Sequence, residues 1–151
     1  MNQVKNRFFS FGLLAMALAS LGSSASVAAR EPSFIMSQGA VAGAAGADGS
    51  VISQTNAARA RHGLPPLAVD SQLMNSARNH AQWMASNRNL SHGHGVAENI
   101  AMGQPSATEA VRSWMNSSGH RANMLGSGYT RIGVAVAYSS NGTPYWCQQF
   151  R

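Results

Sequence analysis

The chain has 151 residues, the size of one ordinary domain, and a formal net charge of +6. Residues 30–151 carry nine arginines against five acidic residues, a net charge of +4, and the arginines are scattered along the sequence. Because no basic cluster typical of a nucleic-acid-binding surface is present, we predict no nucleic-acid partner.

Residues 1–29 have the three-part pattern of a secretory signal peptide. A basic start with Lys5 and Arg7 precedes the apolar run FFSFGLLAMALASLG and the small-residue string SSASVAA. The apolar run is shorter than the roughly 20 residues that a membrane-spanning helix needs, so an uncleaved anchor is the less favoured alternative. We predict cleavage after Ala28 or Ala29, a secreted or periplasmic mature protein, and no transmembrane anchor after cleavage.

Residues 30–49 are rich in Gly, Ala and Ser, and their apolar residues follow no sustained period. This composition predicts a flexible linker, which places the folded domain at residues 50–151.

Helices are predicted over the first part of residues 50–151. Apolar spacing from Val51 onward predicts a helix that stops at Gly63. Asp70 is the expected N-cap of a longer, amphipathic helix. Ser106 and Glu109 have the spacing of a capping box, which predicts the start of a third helix. A fourth, shorter helix is expected to follow it.

The end of the chain is strand-like. The segments RIGVAVAYS and PYWCQQF are separated by Asn141-Gly142, a strong hairpin signal. Helices followed by a terminal hairpin predict an α+β fold with helices packed on an antiparallel sheet. Cys147, the only cysteine, lies in the second segment and is predicted to be buried. We expect a monomer, with a dimer linked through Cys147 as the alternative.

Seven short segments recur in a characteristic order: NAAR (56–59), HGLPPL (62–67), LSH (90–92), ENIAMG (98–103), WMNSSGHRANML (114–125), IGV (132–134) and YWCQQF (145–150). Together they resemble the CAP superfamily: cysteine-rich secretory proteins, antigen 5 and pathogenesis-related 1 proteins, with bacterial SCP-like extracellular members. The resemblance implies a three-layer α–β–α sandwich and an extracellular or periplasmic location. It also implies a cleft with two histidines and two acidic residues, in which some members bind zinc or another divalent ion.

Carried over residue by residue, the resemblance makes His92 and His120 the cleft histidines and Glu98 its first acidic residue. Many eukaryotic members have the second acidic residue just after the tryptophan of the third helix, where this chain has Asn116 and Ser117. We therefore expect His92 and His120 to be the metal ligands, with Asn116 and Ser117 lining the cleft.

Two imidazoles alone make a weak metal site, because catalytic zinc sites usually have three protein ligands. Glu98 is the candidate third ligand, the acceptor for a metal-bound water, or the group that orients a histidine. His94, two residues after His92, is a further cleft residue, either a ligand or a solvated loop side chain.

Other side chains are given structural roles. His80 is expected on a helix surface, and Trp83, Trp114 and Trp146 in the core. Glu109 is assigned to the capping box rather than to the missing second acidic position.

The favoured function is a binding protein whose His/Glu cleft takes a divalent metal or a small lipid, cell-wall or protein ligand. The alternative is a zinc-dependent, peptidase-like hydrolase acting on an extracellular polymer, with Glu98 as the general base. A structural role in the cell envelope is a third interpretation. The chain has no HExxH motif and no GxSxG motif, which favours binding over catalysis.

Overall fold

The computed structural model describes residues 33–151, with side chains described from Gly46 onward. The elements are α1 (Ser33–Arg61), β1 (Ala68–Val69), α2 (Ser71–Asn87), β2 (Ala97–Met102), α3 (Ala107–Met115), α4 (Ser118–Met124), β3 (Arg131–Tyr138) and β4 (Pro144–Phe150). The predicted signal peptide, residues 1–29, lies outside the described residues. In the part of the chain that is described, no helix combines the length and the apolarity that crossing a membrane requires.

The first helix begins inside the segment predicted to be a linker. Helix α1 runs for 29 residues from Ser33 and so includes most of the segment predicted to be a linker. The segment contains several glycines, which suggested a linker, but also alanine, the strongest helix former. Near the end of this segment, Asp48 makes a tertiary contact: it is buried and accepts a hydrogen bond of 3.1 Å from the Val136 N–H.

The local signals for the later elements are confirmed. The Asp70 side chain caps α2 by accepting hydrogen bonds from the backbone of Gln72 and Leu73, and Ser106 caps α3 by accepting one from Glu109. In the β3–β4 hairpin, Gly142 has φ +82°, a left-handed conformation that favours glycine.

The four strands form one sheet in the order β1-β3-β4-β2. The β3–β4 and β2–β4 pairs are antiparallel, whereas the two-residue β1 pairs with β3 in parallel, so the sheet is antiparallel except at one corner. Helix α2 packs on one face, against β3 and β4, and α1 covers the other face together with α3. This arrangement is the expected three-layer α–β–α sandwich.

Each face of the sheet has its own core. The larger core, on the side of α1 and α3, contains Trp114, Trp146 and Phe150, each at most 1% exposed. The core under α2 is built largely from small side chains such as Ala77 and Ala81. These small residues bring α2 close to the sheet, which positions the polar residues that follow.

Two of the three tryptophan predictions are confirmed and one is wrong. Trp114 and Trp146 are buried, but Trp83 is 46% exposed. The buried stripe of α2 includes Ala81 and Met84. Trp83 precedes Met84 by one residue, about 100° around the helix, and therefore points away from the sheet.

Candidate functional site

Glu98 lies on the edge strand β2, on the face of the sheet that α2 covers, and its side chain is only 3% exposed. One carboxylate oxygen, Oε1, accepts hydrogen bonds from the Gly93 backbone N–H at 2.9 Å and from His92 Nδ1 at 3.1 Å. The other, Oε2, accepts from Gln149 Nε2 at 2.9 Å and from the Cys147 thiol at 3.3 Å. Two of these donors come from β4, where Gln149 is paired with Glu98 across the β2–β4 ladder and Cys147 lies two residues before Gln149. The other two, His92 and Gly93, come from the loop between α2 and β2.

These contacts determine the charge of Glu98. Burial alone raises the pKa of the carboxyl, but the hydrogen bonds from Gln149, Gly93 and Cys147 outweigh it, so the pKa of Glu98 lies below its ordinary value. Glu98 is therefore an ionised carboxylate at neutral pH. Burial and the neighbouring negative charge raise the pKa of the Cys147 thiol, which stays protonated and able to donate.

The hydrogen bond to Glu98 also fixes the orientation of His92. A carboxylate accepts only, so Nδ1 of His92 carries a proton and, in the neutral ring, Nε2 keeps a free lone pair. The His92 side chain is 56% exposed, and its ring lies 6.4 Å from that of His120, centroid to centroid. Burial, followed by the charge of His92, lowers the pKa of His120, which favours the neutral imidazole that metals bind.

The position of His120 on α4 is set by two asparagines. Asn99, fully buried on β2, donates its amide to the His120 carbonyl at 3.0 Å. Asn123 donates to the Glu98 carbonyl at 3.1 Å and to the Asn99 side chain at 3.0 Å. These bonds tie α4 to the backbone that carries Glu98.

His80 is a member of the site that the sequence did not reveal, and its assignment to the helix surface is wrong. Its side chain is 17% exposed; Nε2 lies 2.8 Å from the Ser91 carbonyl, to which it donates, and 3.6 Å from Glu98 Oε1. The Trp83 ring stacks on it at 5.9 Å with an interplanar angle of 7°. The signal that could have found His80 is its spacing of three residues after the buried Ala77, at the margin of the apolar stripe.

The remaining predicted cleft residues divide between two places. His94 lines a cleft beside Glu98, together with His80 and Gly93. Asn116, at the C-terminal end of α3, lines a separate cleft with Glu109, so the structure does not group it with His94. Ser117 is the N-cap position of α4 and makes no capping hydrogen bond through its side chain.

Cys147 is buried, as predicted, with no exposed surface. A disulfide between two copies needs an accessible sulfur, so this position argues against a dimer linked through Cys147.

The side chains fit a metal ion only as a two-histidine site. Within residues 46–151, no group of three His, Cys, Asp or Glu side chains is arranged to hold a metal. Nε2 of His92 and the ring of His120 can bind a metal ion. The Glu98 oxygens are not available as ligands, because they already accept hydrogen bonds from four donors. Such a site resembles an open site completed by water rather than a closed structural zinc site.

A cleft of about 640 Å³ lies next to Glu98, and we call it the α2 cleft. It is lined by one face of α2 (Gln72, Asn75, Ser76, Asn79, His80 and Trp83), by Gly93 and His94, and by Gln149 of β4.

Solved structures share this architecture. An outer surface protein from Borrelia burgdorferi superposes with a TM-score of 0.61 at 19% identity, covering 66% of this chain and 87% of that one, and this likeness concerns the fold alone. An extracellular protein containing a SCP domain from Bacillus anthracis has a TM-score of 0.61 at 28% identity, covering 72% of this chain and 41% of that one.

The sequence comparisons agree with the fold. The model of the cysteine-rich secretory protein family, CAP, matches residues 52–150, and the chain belongs to this family. The uncharacterized protein YkwD of Bacillus subtilis is 37% identical over 118 residues, covering 66% of this chain and 45% of YkwD. Pathogenesis-related protein 1C of Nicotiana tabacum is 32% identical over 107 residues, covering 58% of this chain and 64% of that protein. The chain thus spans less than half of YkwD and less than two thirds of the tobacco protein.

Proposed function

We propose that the protein is an exported binding protein in which His92 and His120 hold a divalent ion that prefers imidazole ligands, such as Zn²⁺. The SCP-domain protein of Bacillus anthracis that shares this fold is extracellular, which supports export. In this proposal Glu98 does not bind the ion; it orients His92 through the Nδ1 hydrogen bond, as carboxylates do behind many metal-bound histidines.

The observation that carries the proposal is the saturation of Glu98. Each carboxylate oxygen accepts two hydrogen bonds from the protein, which accounts for about all of its acceptor capacity. A ligand or a general base needs a free lone pair directed at the ion or at a water. Glu98 therefore suits the role of orienting residue better than that of general base, which favours binding over the hydrolase alternative. A bound divalent ion would supply a Lewis-acidic position for an anionic or carbonyl oxygen of a lipid or cell-envelope ligand.

Calorimetric titration of Zn²⁺ into the protein tests the two ligands. We expect His92→Ala and His120→Ala each to weaken binding at least about tenfold, since each removes one of two protein ligands. His62→Ala is the matched control, because His62 lies at the end of α1 and pairs with Arg121. A Zn²⁺ affinity that is unchanged in the His92→Ala/His120→Ala double variant would contradict the proposed site.

The hydrolase alternative has its own test. Turnover of peptidoglycan and of unfolded protein is measured for the Zn²⁺-loaded wild type and for Glu98→Gln. We expect no turnover above the metal-only background in either protein. Wild-type turnover that Glu98→Gln abolishes, while still binding Zn²⁺, would replace the binding proposal with the hydrolase.

A further inference from the structure

The α2 cleft contains a buried acceptor that nothing satisfies. Gln149 is only 3% exposed, and its Oε1 has no hydrogen-bond partner among the described residues. The amide cannot be reversed, because Nε2 must face the Glu98 carboxylate, which accepts only. An unpaired buried carbonyl oxygen is costly, and Gln149 lines the cleft, so a small movement of the lining that lets a bound donor reach Oε1 would be stabilising.

An aromatic platform lies in the same cleft. Trp83 is 46% exposed, and its ring is held by stacking on His80 at 5.9 Å. His80 is in turn fixed by its hydrogen bond to Ser91. An exposed indole held in one orientation offers a flat apolar surface with a polar edge, which suits a ligand that is itself apolar on one face and polar at its rim.

The rest of the lining is polar and includes His94. Among the described residues that line the cleft, none is Asp, Glu, Lys or Arg; carboxamides and a hydroxyl dominate, from residues such as Asn79 and Ser76. Such groups both donate and accept, so they match hydroxyl and amide groups rather than an ionised ligand. Two arginines contact lining residues and are engaged there: Arg78 donates to Asn75, and Arg151 donates to Gln72 and pairs with Asp70.

We propose that the α2 cleft binds a neutral saccharide bearing acetamido groups. The sugar ring packs its C–H face on Trp83, an acetamido N–H donates to Gln149 Oε1, and the hydroxyls bond to the side chains of Asn79 and Ser76. This site differs from the two-histidine site and does not depend on a metal ion in it.

The test is an NMR titration with the tetramer of N-acetylglucosamine. The three indole N–H groups report separately: those of Trp114 and Trp146 are bonded to the carbonyls of Ile100 and Gln104, whereas Trp83 lies in the cleft. We expect the Trp83 indole signal to move and the other two to stay. The glucose tetramer, which has the same ring shape without the acetamido groups, is expected to bind at least about tenfold more weakly.

Two variants identify the site. Trp83→Ala is expected to weaken binding at least about tenfold, and it removes an exposed side chain, so the fold should survive. Tyr138→Ala is the matched control, because Tyr138 is 50% exposed at the hairpin end of β3 and does not line the cleft. We expect this variant to bind as the wild type does.

Several outcomes would overturn the proposal. One is no movement of the Trp83 signal at ligand concentrations up to about 10 mM. Others are equal binding of the two tetramers, equal loss in Trp83→Ala and Tyr138→Ala, or movement of the same signal by an unfolded peptide instead. The titration is repeated in EDTA with the His92→Ala/His120→Ala variant, where unchanged saccharide binding is expected. That arm separates a failure of the metal site from a failure of the saccharide site.

Discussion

The pKa values of two buried carboxyl groups, Asp48 and Glu98, shift in opposite directions. Asp48 accepts one backbone hydrogen bond, from Val136, and burial dominates, which raises its pKa from 3.8 to about 6. Glu98 accepts four hydrogen bonds, and its pKa falls. The number of donors decides which carboxyl is stable as an anion inside the protein.

Replacing Asp48 by Asn should stabilise the protein at neutral pH. The amide oxygen can still accept from the Val136 N–H, and the cost of burying a charge disappears. We expect the free energy of unfolding at pH 7 to rise by about 1–2 kcal/mol. Because the folded-state pKa is raised, the folded wild type binds the extra proton as the pH falls from about 6 toward 4, and the advantage of the variant shrinks over that range.

Urea unfolding of the wild type and of Asp48→Asn at pH 7, 6, 5 and 4 checks this. A difference in the free energy of unfolding that stays constant from pH 7 to pH 4 would show that burying the Asp48 charge has no cost. Glu98 has the opposite sign. Its lowered pKa contributes stability at neutral pH that is lost as the pH falls through the folded-state pKa. Both proteins contain Glu98, so this loss of stability at acidic pH should be the same in the wild type and in Asp48→Asn.

Helix α1 is attached to the segment after α4 by one buried side chain. Arg59, with no exposed surface, donates to the carbonyls of Pro65, Met124, Gly126 and Tyr129 at 2.9–3.3 Å. The planar guanidinium can serve four carbonyls at once, which a lysine cannot do with the same geometry. This side chain accounts structurally for the arginine of the NAAR segment.

Arg59→Met should therefore be severely destabilising. The variant fills a similar space but leaves buried carbonyl oxygens without donors, each worth about 1–3 kcal/mol, so we expect a loss of about 3–5 kcal/mol. Thermal unfolding measures it. Arg61→Met is the control, since Arg61 is exposed at the end of the same helix and should change the free energy of unfolding by no more than about 0.5 kcal/mol.

The contact between α2 and the sheet depends on Gly133 of β3. A Cβ atom at this position would lie 2.2 Å from the backbone carbonyl carbon of Leu73, in the first turn of α2. The backbones touch here, and a methyl group can be accommodated only if the helix moves away.

We expect Gly133→Ala to destabilise the protein by about 3 kcal/mol or more, because overpacking against backbone cannot be relieved by a side-chain rotation. Gly49→Ala is the matched control, because Gly49 lies inside α1 and, among the described residues, no atom outside its own stretch of helix lies within 4 Å of its would-be Cβ. That substitution should be neutral or stabilising by about 0.5–1 kcal/mol. Similar denaturation midpoints for the two variants would contradict the close approach at Gly133.

At the scale of the whole molecule, the sequence predicted features that depend on a few neighbouring residues. The caps at Asp70 and Ser106 and the turn at Gly142 are local, because one side chain or one backbone angle determines each. The layers of the sandwich and the meeting of His92 with Glu98 were available through the resemblance of ordered motifs. The structure places those two residues in contact.

What the sequence did not predict depends on contacts between distant elements. His80 meets Glu98 only because small residues let α2 approach the sheet, and periodicity alone placed it at the surface. The hydrogen bond from the Val136 N–H to Asp48 likewise joins α1 to a strand residue 88 positions away in sequence. Short-range patterns carry no information about such partners.

The buried thiol of Cys147 can be used to measure how often the protein opens around β4. The sulfur is inside the fold, and its high pKa keeps it in the unreactive protonated form. A thiol reagent therefore reacts only with molecules that have opened, and when the reagent is in excess its labelling rate reports how often β4 leaves the sheet. Because the chain has a single cysteine, every labelled molecule records one event at one place.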